Sequence, residues 1–192
     1  MDQGLITTIA MGIALSATAG FRIFVPMLAA AVAGHFNIMH LPSDMAWLSS
    51  WTSIICFATA SIAEIGAYYI PFIDNLLDTI ATPLSVAAGA LIAFSILPIS
   101  GQEPIVRWGL AFLAGGSTAG TIQLGTGLLR LLSSKATIGT GNAVVATTEN
   151  AAAVTSSLLS FVIPVMVALL LLFLCAWVIY RLFKRITRRK TI

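Results

Sequence analysis

Five ionisable residues lie within apolar segments of the sequence, Asp78 and Arg107 nearer the segment ends and three others nearer the middle. Arg22 falls in the run 4–34, Glu64 in the run 46–70, and Glu149 in the apolar region that follows residue 143. A charge at the centre of a membrane helix costs about 2.5–3.5 kcal/mol on insertion scales, so such groups pair with one another or line a wet cavity. We therefore expect Arg22 to pair with one or both glutamates near the midplane, as a substrate- or ion-binding site.

Four further polar residues belong to the candidate site. Asp74 and Asp78 are four residues apart at the start of the third apolar segment, which favours either helix N-terminal charges or a cation-binding entrance. Asn142 is a candidate N-cap of the fifth segment. Gln123 lies on the fourth segment, on a helix that either packs closely or lines a pore.

Two function classes fit these residues. The first is a small transporter or channel-like protein, because two carboxylates against one arginine favour a proton or a cation over a large anion. The alternative is a non-transporting membrane scaffold or assembly partner, in which the buried charges only fix helix packing. The sequence has no nucleophile with a base partner and no phosphate loop, so we expect no enzyme, no catalytic residue, no cofactor and no metal.

The composition indicates a membrane protein. The 192 residues are 58% hydrophobic and 9% charged, with a mean hydropathy of +0.99, whereas soluble domains carry about 25% charged residues. Six of the ten basic residues fall in the tail 181–192. A nucleic-acid-binding face is thereby excluded, and the positive-inside rule makes this tail cytoplasmic. We expect one all-α transmembrane domain over residues 1–192, in contact with the lipid bilayer and a small ion or solute.

Apolar segments separated by short polar stretches predict a bundle of about six spans. The first, 4–34, would span about 46 Å as a helix, so we expect a kink at Pro26. The stretch "PFIDNLLD" is predicted as a turn before the third segment. The fifth segment, 143–160, is short enough to be partly re-entrant, and Pro164 separates it from the sixth. We expect the protein to lie in the inner membrane of a bacterium. An even number of six spans then puts both termini in the cytoplasm.

Three markers recur in the same order in both halves of the chain. They are "SATAGFRIF" and "GSTAGTIQL", "ATASIAEIG" and "VVATTENAA", and "YYIPFI" and "FVIPVM". They predict an inverted repeat of two three-helix units, 1–100 and 101–186. A helical stripe of glycines permits close helix packing and offers an interface for a homodimer; its members are Gly109, Gly116, Gly120 and Gly127.

The stretches "AGFRIFVPMLA", "AEIGAYYIPFIDNLLDTIATPLSVAAGAL" and "GTGNAVVATTEN" resemble bacterial membrane proteins grouped as domain of unknown function 4126. The resemblance implies a compact helical membrane protein and no established activity. It covers most of the candidate site, namely Arg22, Glu64, Asp74, Asp78, Asn142 and Glu149. The chain departs from the family pattern where we expect charged residues, at Tyr68, Tyr69, Ser85 and Asn150.

Overall fold

The computed structural model of the chain describes residues 3–99, 101–137 and 141–189. These ranges are helical and contain no strand, which confirms the predicted all-α class. The helices are α1 (Gln3–Thr18), α2 (Phe24–His35), a 3₁₀ helix (Ser43–Ser49), α3 (Trp51–Ala67), α4 (Pro71–Ile96), α5 (Pro104–Ala111), a π-helical turn (Phe112–Gly116), α6 (Ser117–Thr137), α7 (Asn142–Val162) and α8 (Pro164–Arg189).

The first apolar segment is two helices rather than one kinked helix. α1 ends at Thr18, residues 19–23 form turns, and α2 begins at Phe24. Pro26 lies inside the first turn of α2, where a proline is tolerated, so the predicted kink at Pro26 is wrong. We call residues 19–23 the break. Arg22 therefore lies between two helices and not at a helix centre.

Two other predicted boundaries differ from the structure. "PFIDNLLD" forms the first two turns of α4, because Pro71 occupies the first helical position, where its missing N–H costs nothing. α7 is one continuous helix of 21 residues, about 31 Å long, and not a short segment. The predicted division at Pro164 is confirmed, since α8 begins there.

Two helices contain a stretch long and apolar enough to cross a membrane, Leu76–Ile96 in α4 and Pro164–Lys184 in α8. The 3₁₀ helix and α3, bent by 57°, qualify together as a third. α1 and α2 are apolar but shorter. Helices of this kind are typical of a membrane protein. The number of six spans stays a prediction.

Glycines bring α4 very close to the π-helical turn and α6. A Cβ on Gly115 would overlap the carbonyl oxygen of Gly89 and lie 2.5 Å from Ala93 Cβ. A Cβ on Gly120 would lie 2.6 Å from a methyl group of Val86. The middle of the predicted glycine stripe is therefore covered by α4 of the same chain. The stripe as a homodimer interface is wrong at Gly116 and Gly120, because that surface is already occupied.

The two T-A-G motifs of the predicted repeat contact each other. A Cβ on Gly20 would overlap the carbonyl oxygen of Ala119 and lie 2.6 Å from Ile122 Cβ. Equivalent residues of an inverted repeat meet where the pseudo-twofold axis passes, so this contact agrees with the repeat. The prolines of the third marker also correspond, because Pro71 opens α4 and Pro164 opens α8. The repeat itself stays a prediction.

The close approach of α4 to the π-helical turn leads to the first prediction. Gly115→Ala should lower the free energy of unfolding by about 1–3 kcal/mol, because the new methyl group meets backbone. Gly109→Ala is the matched control. Its Cβ would meet nothing within 4 Å, and alanine should gain about 0.5–1 kcal/mol over glycine in α5. Thermal unfolding midpoints in detergent measure both; equal midpoints would contradict the packing described.

Candidate functional site

Glu64 holds the beginning of α2. Its Oε1 accepts a hydrogen bond from the Ile23 backbone N at 2.8 Å, and its Oε2 accepts one from the Phe24 backbone N at 3.0 Å. The first N–H groups of a helix have no partner within that helix and carry a partial positive charge. A carboxylate from α3 satisfies them here, with Glu64 only 8% exposed. The glutamate thus stabilises the break by bonding its backbone.

Arg22 is completely buried, and its guanidinium bonds α7. Nη1 lies 2.8 Å from Glu149 Oε2, and Nε lies 2.6 Å from Asn150 Oδ1. The group also donates to the backbone oxygens of Phe21 at 2.9 Å and Ala146 at 3.2 Å. The predicted pairing of Arg22 is confirmed for Glu149, whereas Glu64 bonds the two residues that follow Arg22 instead.

Arg130 is a second arginine at Glu149, and it was not among the predicted site residues. Its Nη2 forms an ion pair with Glu149 Oε2, and its Nε lies 3.2 Å from Glu149 Oε1. Its Nη1 lies 2.7 Å from Asp78 Oδ1. Arg130 lies on the same face of α6 as the buried Gln123 and Thr126, since the three residues are spaced by three and four positions. This spacing is the feature of the sequence that indicates a buried position for Arg130.

The four charged residues Arg22, Asp78, Arg130 and Glu149 form what we call the ion cluster. Together with Glu64, they bring three carboxylates close to two guanidinium groups. The expectation of two carboxylates against one arginine is wrong in its count, because Arg130 and Asp78 belong to the cluster. An excess of one carboxylate over the guanidinium groups remains.

Aromatic and amide side chains enclose the ion cluster. The Tyr68 ring centroid lies 4.0 Å from Arg22 Cζ and 3.9 Å from Arg130 Cζ, which are cation–π distances. Tyr69 Oη lies 3.2 Å from Asn150 Nδ2. Tyr68, Tyr69 and Asn150, three of the positions where the resemblance led us to expect a charged residue, therefore lie around one cluster. The neutral side chains of Tyr68 and Asn150 contact the arginines, and Glu149 and Asp78 are the carboxylates that pair with them.

The remaining predicted site residues lie elsewhere or differ in detail. Asp74 lies in the first turn of α4, and its side chain lies outside the described residues. Asn142 is the first residue of α7 and Gly141 precedes it as the N-cap, so the predicted N-cap is wrong. The Asn142 side chain accepts a hydrogen bond from Ser134 Oγ at 3.1 Å. Gln123 is buried two turns before Arg130, about 10 Å away along α6.

Two clefts reach the glutamates from different parts of the bundle. The α3–α4 cleft, of about 310 Å³, contains Glu64 and Tyr68 in an apolar wall. The α6–α7 cleft, of about 490 Å³, contains Glu149 with Thr126, Ser133 and Thr148. Both clefts are otherwise lined largely by apolar side chains. Each therefore leads from an apolar wall to a buried carboxylate.

The break separates the two clefts. Phe21 lines the α6–α7 cleft, whereas Ile23 and Phe24 line the α3–α4 cleft. Arg22 lies between them in the chain and is only 1% exposed. Residues 21–24, the end of the break and the first residue of α2, thus lie between the two clefts, and the hydrogen bonds of Arg22 and Glu64 hold them in place.

These features define the class of the protein. Long apolar helices packed around buried, paired charges are the structure of a helical membrane protein. The family described as Domain of unknown function (DUF4126) matches residues 9–185. The chain belongs to this family, as its sequence resemblance predicted. No curated protein and no solved structure matches the chain.

The hydrogen bonds of Glu64 generate the second prediction. Glu64→Gln should lower the free energy of unfolding by about 1–3 kcal/mol. The new amide NH₂ would face one of the two backbone N–H groups, of Ile23 or Phe24, that the carboxylate now accepts from. Glu103→Gln is the control, since Glu103 is exposed, and should change stability by less than about 0.5 kcal/mol. Thermal unfolding in detergent compares the two. A Glu64→Gln variant as stable as the wild type would contradict this capping.

Proposed function

We propose that the protein is a small membrane transporter whose cycle is linked to the uptake of a proton or a cation at Glu149. One observation carries the proposal: the break separates two clefts, each of which contains a buried glutamate. Transporters keep a substrate site near the middle of the membrane, at discontinuous helices, and expose it alternately to the two sides. A barrier of four residues between two clefts suits such a cycle. The substrate is a small ion or solute.

Charge supports a proton or cation over a large anion. Three carboxylates face two guanidinium groups, so the described part of the site carries an excess of negative charge when all groups are ionised. An anionic substrate would add to this negative charge inside the protein, where unpaired charge is costly. A proton or a cation would neutralise it.

Protonation of Glu149 would weaken the connection between α6 and α7 more than the connection between the break and α7. Arg22 would keep Asn150 and the backbone oxygen of Ala146, so the break would stay bonded to α7. Arg130 would keep Asp78 on α4, but its ion pair to Glu149 would be lost. The connection that is lost joins α6 to α7, the two helices that enclose the α6–α7 cleft. In the proposed cycle, this cleft opens when Glu149 is neutral and closes when it is ionised.

The proposed orientation puts six spans in the inner membrane of a bacterium, with both termini in the cytoplasm. Residues Leu128–Leu132 of α6 and Trp177–Leu182 of α8 line a common cleft, so these two helices have their C-terminal parts side by side. Lys135 at the end of α6 and the basic residues Arg181 and Lys184 of α8 then lie on the same side. Positive charges concentrated on one side support a cytoplasmic location for that side.

Flux in sealed liposomes tests the transport proposal and is the third prediction. The full-length wild type should dissipate an imposed proton, Na⁺ or K⁺ gradient faster than empty liposomes. Glu149→Gln should reduce the flux to the level of empty liposomes, because the amide cannot take up a proton or pair with two guanidinium groups. Glu103→Gln is the matched control and should retain wild-type flux.

Two results would contradict the proposal. One is wild-type flux no faster than in empty liposomes under every one of these gradients. The other is unchanged flux for a Glu149→Gln protein that is monodisperse in detergent. Glu64→Gln serves as a second comparison, since its expected defect is in stability and its carboxylate is already bonded to backbone.

A membrane scaffold is the second candidate function. The observation that favours it is the completeness of the bonding: the Arg22 guanidinium has four partners, and Glu149 has two guanidinium partners. When every group of a buried polar network has its partners, fixing the register of the helices can be the whole role of the network. In that case the ion cluster would connect α4, α6, α7 and the break without ever opening.

A pair of substitutions separates the two candidates and is the fourth prediction. Arg22→Met should cost less than the loss of Glu149, because Glu149 keeps its ion pair with Arg130. Glu149→Leu should lower stability by about 3–5 kcal/mol, because it leaves the buried Arg22 guanidinium without its carboxylate partner. The double variant should recover much of this loss, since both charges are removed together. If Glu149 is a transport site, flux stays absent in the stable double variant. Recovery of flux together with stability would contradict the transport site.

A further inference from the structure

A cleft between α6 and α8 differs from the α3–α4 and α6–α7 clefts because an arginine side chain lines it. It has a volume of about 240 Å³ and is lined mainly by leucines, together with Trp177 and Arg181. The two helices touch where a Cβ on Gly125 would lie 2.8 Å from a methyl group of Val178, and the cleft lies alongside this contact. The α3–α4 and α6–α7 clefts each contain a glutamate, whereas this cleft contains an arginine.

Aromatic rings position the cations beside this cleft. Arg181 Cζ lies 5.0 Å from the Trp177 ring centroid, and Lys184 Nζ lies 5.8 Å from that of Tyr180. Tryptophan and tyrosine concentrate at the level of the lipid headgroups, and basic residues follow the cytoplasmic end of a span. The segment 181–192 holds six basic residues and no acidic residue. The cleft therefore runs from apolar helix surface to a strongly positive end.

We propose that this cleft binds an anionic phospholipid, with one acyl chain along the leucines and the phosphate on Arg181. The occupant follows from the chemistry of the two ends. The apolar wall faces the hydrocarbon region, where acyl chains are available, and the guanidinium lies where a lipid phosphate would lie. A net negative headgroup is favoured over a zwitterionic one, because the segment carries no acid to balance an attached ammonium group.

The lipid cleft shares a wall with the α6–α7 cleft. Leu129 and Leu132 line both, and Arg130 stands between them in the chain with its guanidinium on Glu149. A lipid in the cleft would pack on Leu129 and Leu132, the two α6 residues that also border the α6–α7 cleft. The bound lipid would hold α6 in the position that keeps Arg130 on Glu149. Lipid binding itself requires no transport and is tested independently of the proposed function.

The test is the binding of phosphatidylglycerol and phosphatidylcholine of identical acyl chains to the full-length protein in detergent at 0.15 M salt. Native mass spectrometry counts the bound lipids, and thermal unfolding reports their effect on stability. We expect the wild type to bind one phosphatidylglycerol in preference to phosphatidylcholine. Arg181→Gln should lower this affinity about fivefold, the effect of one basic residue close to a lipid surface.

Arg188→Gln is the control, because it removes the same charge seven residues further along α8. That distance is about 10 Å, beyond the Debye length of about 8 Å at this salt concentration, so the affinity should change by less than about twofold. Leu128→Trp is a second variant, which fills the cleft and leaves Arg181 in place. It should abolish the preference for phosphatidylglycerol, because the acyl chain can then no longer enter the cleft. Any one of three results would overturn the proposal. They are equal losses of affinity for Arg181→Gln and Arg188→Gln, unchanged binding in Leu128→Trp, and no preference for phosphatidylglycerol in the wild type.

Discussion

Two guanidinium groups share one buried carboxylate, and the packing of four segments depends on this arrangement. Glu149 on α7 pairs with Arg22 of the break and with Arg130 of α6, and Arg130 extends the connection to Asp78 on α4. Each arginine alone would be a costly buried charge, and so would the glutamate. Because the charges are satisfied only together, α4, α6, α7 and the break must come to fixed relative positions. The positions of the four charged groups of the ion cluster then follow from one constraint.

The break is stable for the same physical reason. Leaving the helix within an apolar environment frees backbone N–H and C=O groups, which have no water to bond. Glu64 bonds the N–H groups of Ile23 and Phe24, and Arg22 donates to the backbone oxygen of Phe21. Side chains from the ion cluster and from α3 thus satisfy the irregular backbone. A discontinuous segment of this kind can separate two clefts without a full helix between them.

The helices around the cluster are held in two different ways. The π-helical turn meets α4, and the break that follows α1 meets α6, through glycine and alanine, with backbone almost in contact at Gly115 and Gly20. Contacts of this kind resist change, because a rigid backbone has no alternative packing. α7 is joined to α6 through the Arg130–Glu149 ion pair, whose strength depends on the charge of one carboxylate. If the molecule moves during a cycle, the geometry favours motion of α7 against a fixed core of α1, α4 and α6.

The sequence by itself determined the all-α class, because an apolar chain with paired backbone groups has helices as its simplest solution. It also determined that Arg22 needs an acidic partner, since a buried charge is costly. Arg130 escaped prediction because it lies near the end of its segment, where a solvent-facing arginine is ordinary. Only the tertiary structure decided that Glu149 accepts both arginines, that Glu64 caps α2 and that the break replaces a kink at Pro26. These contacts join residues from 19 positions apart, for Arg130 and Glu149, to 127 positions apart, for Arg22 and Glu149. Local sequence does not specify which helices will meet.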